Sequence, residues 1–219
     1  RFSFKGEIIM PPRHALPPES SPVKPLTRRQ LQAIQTKNRI YDTAVKIINE
    51  KGFENVTIED ITTAANVAKG SFYNYFETKD ALILYTFQQS DDIYEKVYTR
   101  IKGQPFLIMM EEFIRLSYIQ YEKRGKGIIK AIISNYFSYR EFNFYGNDRR
   151  LIKCLRKILQ SGKDEGIIGQ DRSEDAMILL LLSSLIGVEV LWCMNPQAPS
   201  LPDMAVTAVM GTVKGIVEK

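Results

Sequence analysis

The sequence predicts an all-α chain. Apolar residues recur at three- and four-residue spacing through most of its length, and glycines such as Gly52, Gly103, Gly125 and Gly166 punctuate those runs. No alternating strand pattern is present. The 219 residues are 44% hydrophobic, enough for a substantial core in one large domain or two smaller ones.

The elements follow in order. Residues 1–27 are expected to be a flexible N-terminal extension, because 11–25 (PPRHALPPESSPVKP) is proline-rich. The early cations Arg1, Lys5, Arg13, Lys24, Arg28 and Arg29 fit either a solvated tail or a DNA-reaching arm. From about 28 the pattern is helical, with Ile40, Ala44, Ile47 and Ile48 on one face and Gly52 as the stop. Thr57 with Asp60 three residues on reads as an N-cap and its reciprocal acid. The short helix they open buries Ile58, Ile61 and Ala65. Asn66 can take the left-handed turn. A third short helix spans roughly 68–75, and Thr78 caps a fourth that runs to about Ile101. Further helices are expected at about 105–123, 126–143, 148–165, 174–194 and from 200 to the C-terminus.

The stretch 69–76, KGSFYNYF, carries the chemistry. Phe72 and Phe76 are four apart and share a face, so they point into a small core. Gly70, Ser71 and Asn74 occupy the opposite face, with Tyr73 and Tyr75 at the flanks. A glycine in a helix costs about 1 kcal/mol relative to alanine. It is useful where a backbone must approach another surface closely. Ser71 and Asn74 can hydrogen-bond base edges, and Asn pairs with adenine in bidentate fashion. Lys69 can reach guanine or a phosphate, and the tyrosines can reach phosphates and sugars. The plainer alternative is that Tyr73 and Tyr75 cover a domain join.

The string Thr57-Ile58-x-x-Ile61…Ala64-Ala65-x-Val67-x-Lys69-Gly70-Ser71-Phe72-Tyr73-x-Tyr75-Phe76-x-x-Lys79-x-x-Leu82 resembles the DNA-binding domain of the TetR family of bacterial regulators, over about 35–85. The resemblance implies an N-terminal three-helix DNA-binding domain with a helix-turn-helix (28–77) and a larger helical ligand-binding and dimerisation domain (78–219). It implies that the helix at 68–75 enters the major groove, with phosphate contacts from Thr57, Tyr73, Tyr75 and Lys79. With Lys69, Gly70, Ser71 and Asn74 these make the candidate DNA-binding set. Ala68 departs from the family, which often has Ser there, so one cap and one phosphate bond are missing.

The resemblance also implies a homodimer on a double-stranded, pseudo-palindromic operator, through helices near 148–166, 174–194 and 200–217. The sequence supports this independently, since 174–194 is apolar on too many sides for a surface helix and Gly187, Ser183 and Ser184 allow close approach. Glu189 interrupts that run, so a helix in a core or subunit interface is expected there, not a membrane span. A polar contact at the interface edge is the expected role of Glu189. A small, largely apolar effector would sit among Phe106, Met110, Phe113, Tyr118, Tyr121, Tyr136, Phe137 and Trp192, and the fourth helix, 78–101, is the expected lever.

The function expected is a repressor released by that effector; the alternative is a TetR-like DNA binder without a small-molecule switch, nucleoid-associated or protein-regulated. An enzyme is not expected. The one histidine, His14, lies in the proline-rich tail, and the pairs Asp91/Asp92 and Glu111/Glu112 are adjacent and do not share a helix face. No cofactor or metal site is expected. Cys154 and Cys193 lack metal-type spacing, no secretory signal is visible, and a reducing, cytoplasmic setting is expected. The net charge of +5 favours an anionic partner.

Overall fold

A computed structural model describes residues 27–135 and 146–217. The expected N-terminal extension, Tyr136 and Phe137 lie outside the described residues. Within them are nine α-helices and no strand: α1 (Arg28–Lys51), α2 (Ile58–Ala64), α3 (Lys69–Tyr73), α4 (Ala81–Ile101), α5 (Phe106–Glu122), α6 (Lys126–Ser134), α7 (Arg150–Asp164), α8 (Glu174–Met194) and α9 (Leu201–Val217).

Local rules set the first unit. Thr27 and Gln30 form a capping box that opens α1, and Gly52, at φ 80°, closes it. The buried face of α1 is Ile40, Tyr41, Ala44, Ile47 and Ile48. A 3₁₀ turn at Phe53–Asn55, absent from the sequence reading, then inserts Phe53 into the core. Thr57 and Asp60 cap α2 reciprocally: the Asp60 N–H donates to Thr57 Oγ1 at 3.0 Å and the Thr57 N–H donates to Asp60 Oδ2 at 2.9 Å. Asn66 takes the left-handed conformation at φ 50°. The turn places α3 against α2, with Phe72 and Phe76 buried and their rings 5.6 Å apart. Burying each ring stabilises the unit by about 2–3 kcal/mol. Five residues of α3 could not hold a helix alone; those two anchors do.

The second unit is built on α5, which packs against α9, α4 and α7, while α8 lies along α9. Phe106, Met110 and Phe113 are fully enclosed in this core. Gly162 on α7 exists for the Phe106 ring, since a Cβ there would lie 2.9 Å from it. Arg149 clamps Asp91 with its guanidinium at 3.0 to 3.1 Å, tying the start of α7 to α4. Asp91 is thereby held in a half-buried ion pair.

One expectation about subunit contacts changes, and the surface of α7 bears on another. The outward face of α7 is Arg150, Lys153, Lys157, Gln160 and Asp164, which is charged and unsuited to an apolar interface. Glu189 points inward and is 7% exposed, so it is not an interface-edge residue. Helix α8 is long and apolar enough to cross a membrane by length and composition, yet its Met177, Leu181, Leu185 and Val188 face is packed in the core. Leu179, Leu180, Leu191 and Met194 remain exposed on the other side.

Candidate nucleic-acid interface

Helix α3 presents the surface its sequence pattern demands. Lys69, Gly70, Tyr73 and Asn74 are exposed, and Ser71 and Tyr75 are half-buried. A Cβ built at Gly70 meets nothing within 4 Å. The protomer therefore has no steric need for a glycine there, although the helix would be more stable with alanine. What remains is closeness to something outside the protomer. The first-turn N–H groups of α3 lack a side-chain cap, because the N-cap residue is Ala68.

The other candidates are more constrained. The Lys69 ammonium pairs with Glu59 on α2, and hydrogen bonding to that carboxylate pushes the Lys69 pKa up. It therefore stays charged. The Thr57 hydroxyl donates to Asp60 Oδ2 at 2.6 Å, so its cap already uses the proton a phosphate would take. Lys79 needs a correction. Its ammonium turns inward, donating to the Phe53 carbonyl at 2.7 Å and the Val56 carbonyl at 2.9 Å, over the Phe53 ring. It braces the 3₁₀ turn and is not held out toward a phosphate.

A cavity of about 50 Å³ lies between α4, α5, α8 and the start of α7. Phe87, Ser90, Tyr94, Tyr118, Tyr121, Arg149 and Glu189 line it with Leu151, Leu182, Leu185 and Ile186. The Tyr118 hydroxyl donates to Glu189 Oε1 at 2.7 Å. Burial, then the Glu189 charge, pushes the Tyr94 and Tyr118 phenols up. Of the expected effector-lining residues, Tyr118 and Tyr121 are there. Phe106, Met110 and Phe113 are packed core. Trp192 serves the α8–α9 turn: its indole N–H donates to the Pro199 carbonyl at 3.1 Å, under the Lys126 ammonium. The sequence reading missed Phe87, Ser90, Tyr94 and Arg149. Among the described residues no cluster of three or more His, Cys, Asp or Glu side chains could hold a metal.

A helix-turn-helix with a bare, exposed recognition surface, joined to a larger helical unit, defines a DNA-binding transcriptional regulator. The comparisons agree. A family model described as bacterial regulatory proteins, tetR family, matches residues 40–86. The probable acrEF/envCD operon repressor of Escherichia coli K12 is 25% identical over 200 residues, spanning 80% of this chain and 87% of that protein. IcaR of Staphylococcus aureus Newman, a negative transcriptional regulator of the biofilm operon icaADBC, is 25% identical over 153 residues, spanning 68% and 81%. FadR of Thermus thermophilus, a TetR-family repressor solved with lauroyl-CoA, superposes with a TM-score of 0.62 at 20% identity, covering 84% of this chain and 96% of that one. SmeT, the repressor of a Stenotrophomonas maltophilia multidrug efflux pump, superposes at 0.66 with 15% identity, covering 84% and 91%. At those identities the structures show the shared fold. Residues 40–86 thus carry a TetR-family DNA-binding domain, and the chain is similar to transcriptional repressors along most of its length.

Proposed function

We propose that this protein is a cytoplasmic, homodimeric repressor that reads a pseudo-palindromic operator with α3 and is released by a small ligand. Residues 28–77 form the DNA-binding unit and 78–219 the effector and dimerisation unit. One observation carries the reading: Gly70, Ser71 and Asn74 face outward while Phe72 and Phe76 fix the helix from behind. Ser71, Asn74 and Lys69 address base edges, and Tyr73 and Tyr75 address the backbone. Repressor names among the relatives support the direction of control. The exposed apolar stripe of α8 supports a two-fold dimer, which would present two α3 helices about one DNA turn apart.

The effector site is the cavity at Tyr118 and Glu189. At about 50 Å³ it is well below the roughly 300–1,000 Å³ of a ligand pocket. A ligand binds there only by opening the contact between α4, α5 and α8, which makes occupancy a conformational event. A ligand shifts DNA affinity only if it favours the opened state. The small volume equally supports a second reading, a DNA binder without a small-molecule switch.

The test is to sequence genomic fragments retained by the purified protein, then footprint them. Two symmetric half-sites are expected, with sequence preference lost in Asn74→Ala and affinity reduced in Tyr73→Phe. Retained DNA with no common sequence, or an unchanged preference in Asn74→Ala, would refute the assignment of α3. Small-molecule libraries screened by thermal shift and then operator release separate the two readings of the cavity.

A further inference from the structure

We propose that the effector site continues out of its cavity into a groove between α7 and α8, and that the joined site takes an organic cation carrying an apolar chain. The cationic head sits beside Glu189 and the chain lies along α8. The proposal rests on the effector reading of the cavity and names the class of ligand. The groove holds about 410 Å³, with Asn147 and Arg156 on one side and Ile178, Leu179 and Ser183 of α8 on the other. Leu182 and Ile186 line both spaces, so their side chains form the partition. The cavity alone is too small for a ligand, but the two joined reach the roughly 300–1,000 Å³ of a ligand pocket. Only the head needs room at Glu189, because the groove takes the rest.

One stripe of α8 sets the shape of the occupant. Ile178, Leu182, Ile186 and Glu189 fall at i, i+4, i+8 and i+11 and share a helix face. At 1.5 Å per residue they span about 16 Å, apolar at three positions and acidic at the fourth. A molecule lying along them is long, apolar over most of its length and polar at its inner end. The outer rim of the groove asks for no charge. Arg156 donates there to Asn147 Oδ1 at 2.9 Å and pairs with Asp175, so the rim charges are matched among themselves.

Charge identifies the head. The Glu189 carboxylate accepts from the Tyr118 hydroxyl at 2.7 Å, and the rings of Phe87, Tyr94 and Tyr121 stand on the same wall. Arg149 lines it too, but its guanidinium is clamped on Asp91 at 3.0 to 3.1 Å, over the Phe87 ring. Arg124 is engaged with the Thr86 carbonyl. Burial comes first in pushing the Tyr94 phenol up, and Glu189 is the strongest of the charges acting on it, ahead of Arg149, Arg124 and Asp91. A cation is attracted both by the carboxylate and by the faces of the rings. An anionic head would meet Glu189 and have to draw Arg149 away from Asp91.

The experiment titrates the full-length protein, without DNA, by calorimetry. The probes are butylamine, hexylamine and decylamine, with decanol and decanoate beside them, all below their aggregation concentrations. Amine affinity is expected to rise by up to about fourfold per methylene, the worth of a buried CH₂. Glu189→Gln should weaken decylamine by about 10–100-fold and bring it level with decanol. Asn147→Trp fills the groove from its exposed rim ahead of α7 and should flatten the chain-length series while sparing butylamine. Because Asn147 is exposed, that variant carries the test if Glu189→Gln does not fold. Decanol or decanoate binding wild type as tightly as decylamine would overturn the cationic head. A chain-length series unaltered by Asn147→Trp would overturn the groove. No amine bound by wild type, with a changed mass in Asn147→Trp, would make the groove a subunit contact instead. Operator release is scored separately: an amine that binds with the expected pattern yet leaves the operator bound supports the site and refutes the switch.

Discussion

The Asn49 carboxamide on α1 accepts from the Gly127 N–H of α6 at 2.7 Å and donates to the Arg124 carbonyl at 2.6 Å. It also accepts from the Ile128 N–H at 3.2 Å. A side chain of the N-terminal unit thus caps a helix of the larger C-terminal unit, whose own N-cap, Gly125, has no side chain to offer. Arg124 extends the link, donating to the Thr86 carbonyl on α4 at 2.7 Å. Helix α6 is therefore hydrogen-bonded directly to α1, beside the contact through α4.

Asn49→Ala, which removes this cap, should cost about 1–2 kcal/mol. In a chain of this size each kcal/mol lowers Tm by roughly 2–4 °C. Gly127→Ala tests the same contact by a different route. Its Cβ would lie 2.6 Å from Asn49 Cα and 2.7 Å from the Ile48 carbonyl, both backbone atoms that cannot swing aside. Overpacking of this kind costs about 1–3 kcal/mol. Thermal melts should show both variants destabilised; a Gly127→Ala protein melting with wild type would mean that α1 and α6 are not in contact.

Lys79 should behave as a structural residue. Lys79→Met keeps the stem and removes the ammonium, leaving the Phe53 and Val56 carbonyls without that donor. The expected loss is about 1–2 kcal/mol in urea unfolding. If Lys79→Met instead unfolded like wild type and lost only DNA affinity, the inward geometry would be wrong in solution.

The Thr57–Asp60 cap predicts an acid limb. Hydrogen bonds from the Thr57 hydroxyl and N–H, and then the Lys51 charge, hold the Asp60 carboxyl below its ordinary 3.8. A carboxyl depressed on folding stabilises the native state above its unfolded value. That contribution fades as pH falls from about 4 through the folded value. Asp203, held down by Ser200 and then Arg115, adds to the same window. Urea midpoints compared at pH 7 and pH 3 should fall less for Asp60→Asn than for wild type. Equal falls would remove Asp60 from the acid response.

These cases show what the sequence could and could not disclose. The cap at Thr57, the left-handed Asn66 and the pairing of Phe72 with Phe76 depend on residues within four positions of one another, where spacing alone decides geometry. The partners of Lys79 lie 26 and 23 residues back, beyond a 3₁₀ turn that no periodicity signals. Tyr118 and Glu189 are 71 apart. Periodicity reports which face of α5 is buried but not which helix covers it. The aromatic residues of α5 were therefore legible as buried, while the division into core (Phe113) and cavity wall (Tyr118) was not. Phe87 and Tyr94 escape that reading because α4 is taken there as a lever and not as a cavity wall.

The α8 surface predicts the oligomer. Leu179 is 66% exposed, Leu180 52%, Leu191 59% and Met194 74%, on one side of a helix whose other side is core. Between them sits Gly187, where a Cβ meets nothing within 4 Å. On α9 the exposed Thr207, Gly211 and Gly215 continue the low surface. Small residues let helix axes come within about 8 Å, and the leucines supply the apolar area. Gly187→Glu has room in the isolated protomer, so it should leave the helical content unchanged. Across a two-fold axis it would bring two carboxylates into a dry contact, which is strongly unfavourable. Light scattering should then report one 25.1 kDa chain where wild type gives twice that mass. Operator affinity should drop by about 10²–10⁴, because the second half-site is no longer tethered to the first. Leu191→Glu should repeat the effect, and Lys153→Glu, on the charged face of α7, should not. An unchanged mass in both α8 variants would place the dimer contact elsewhere on the molecule.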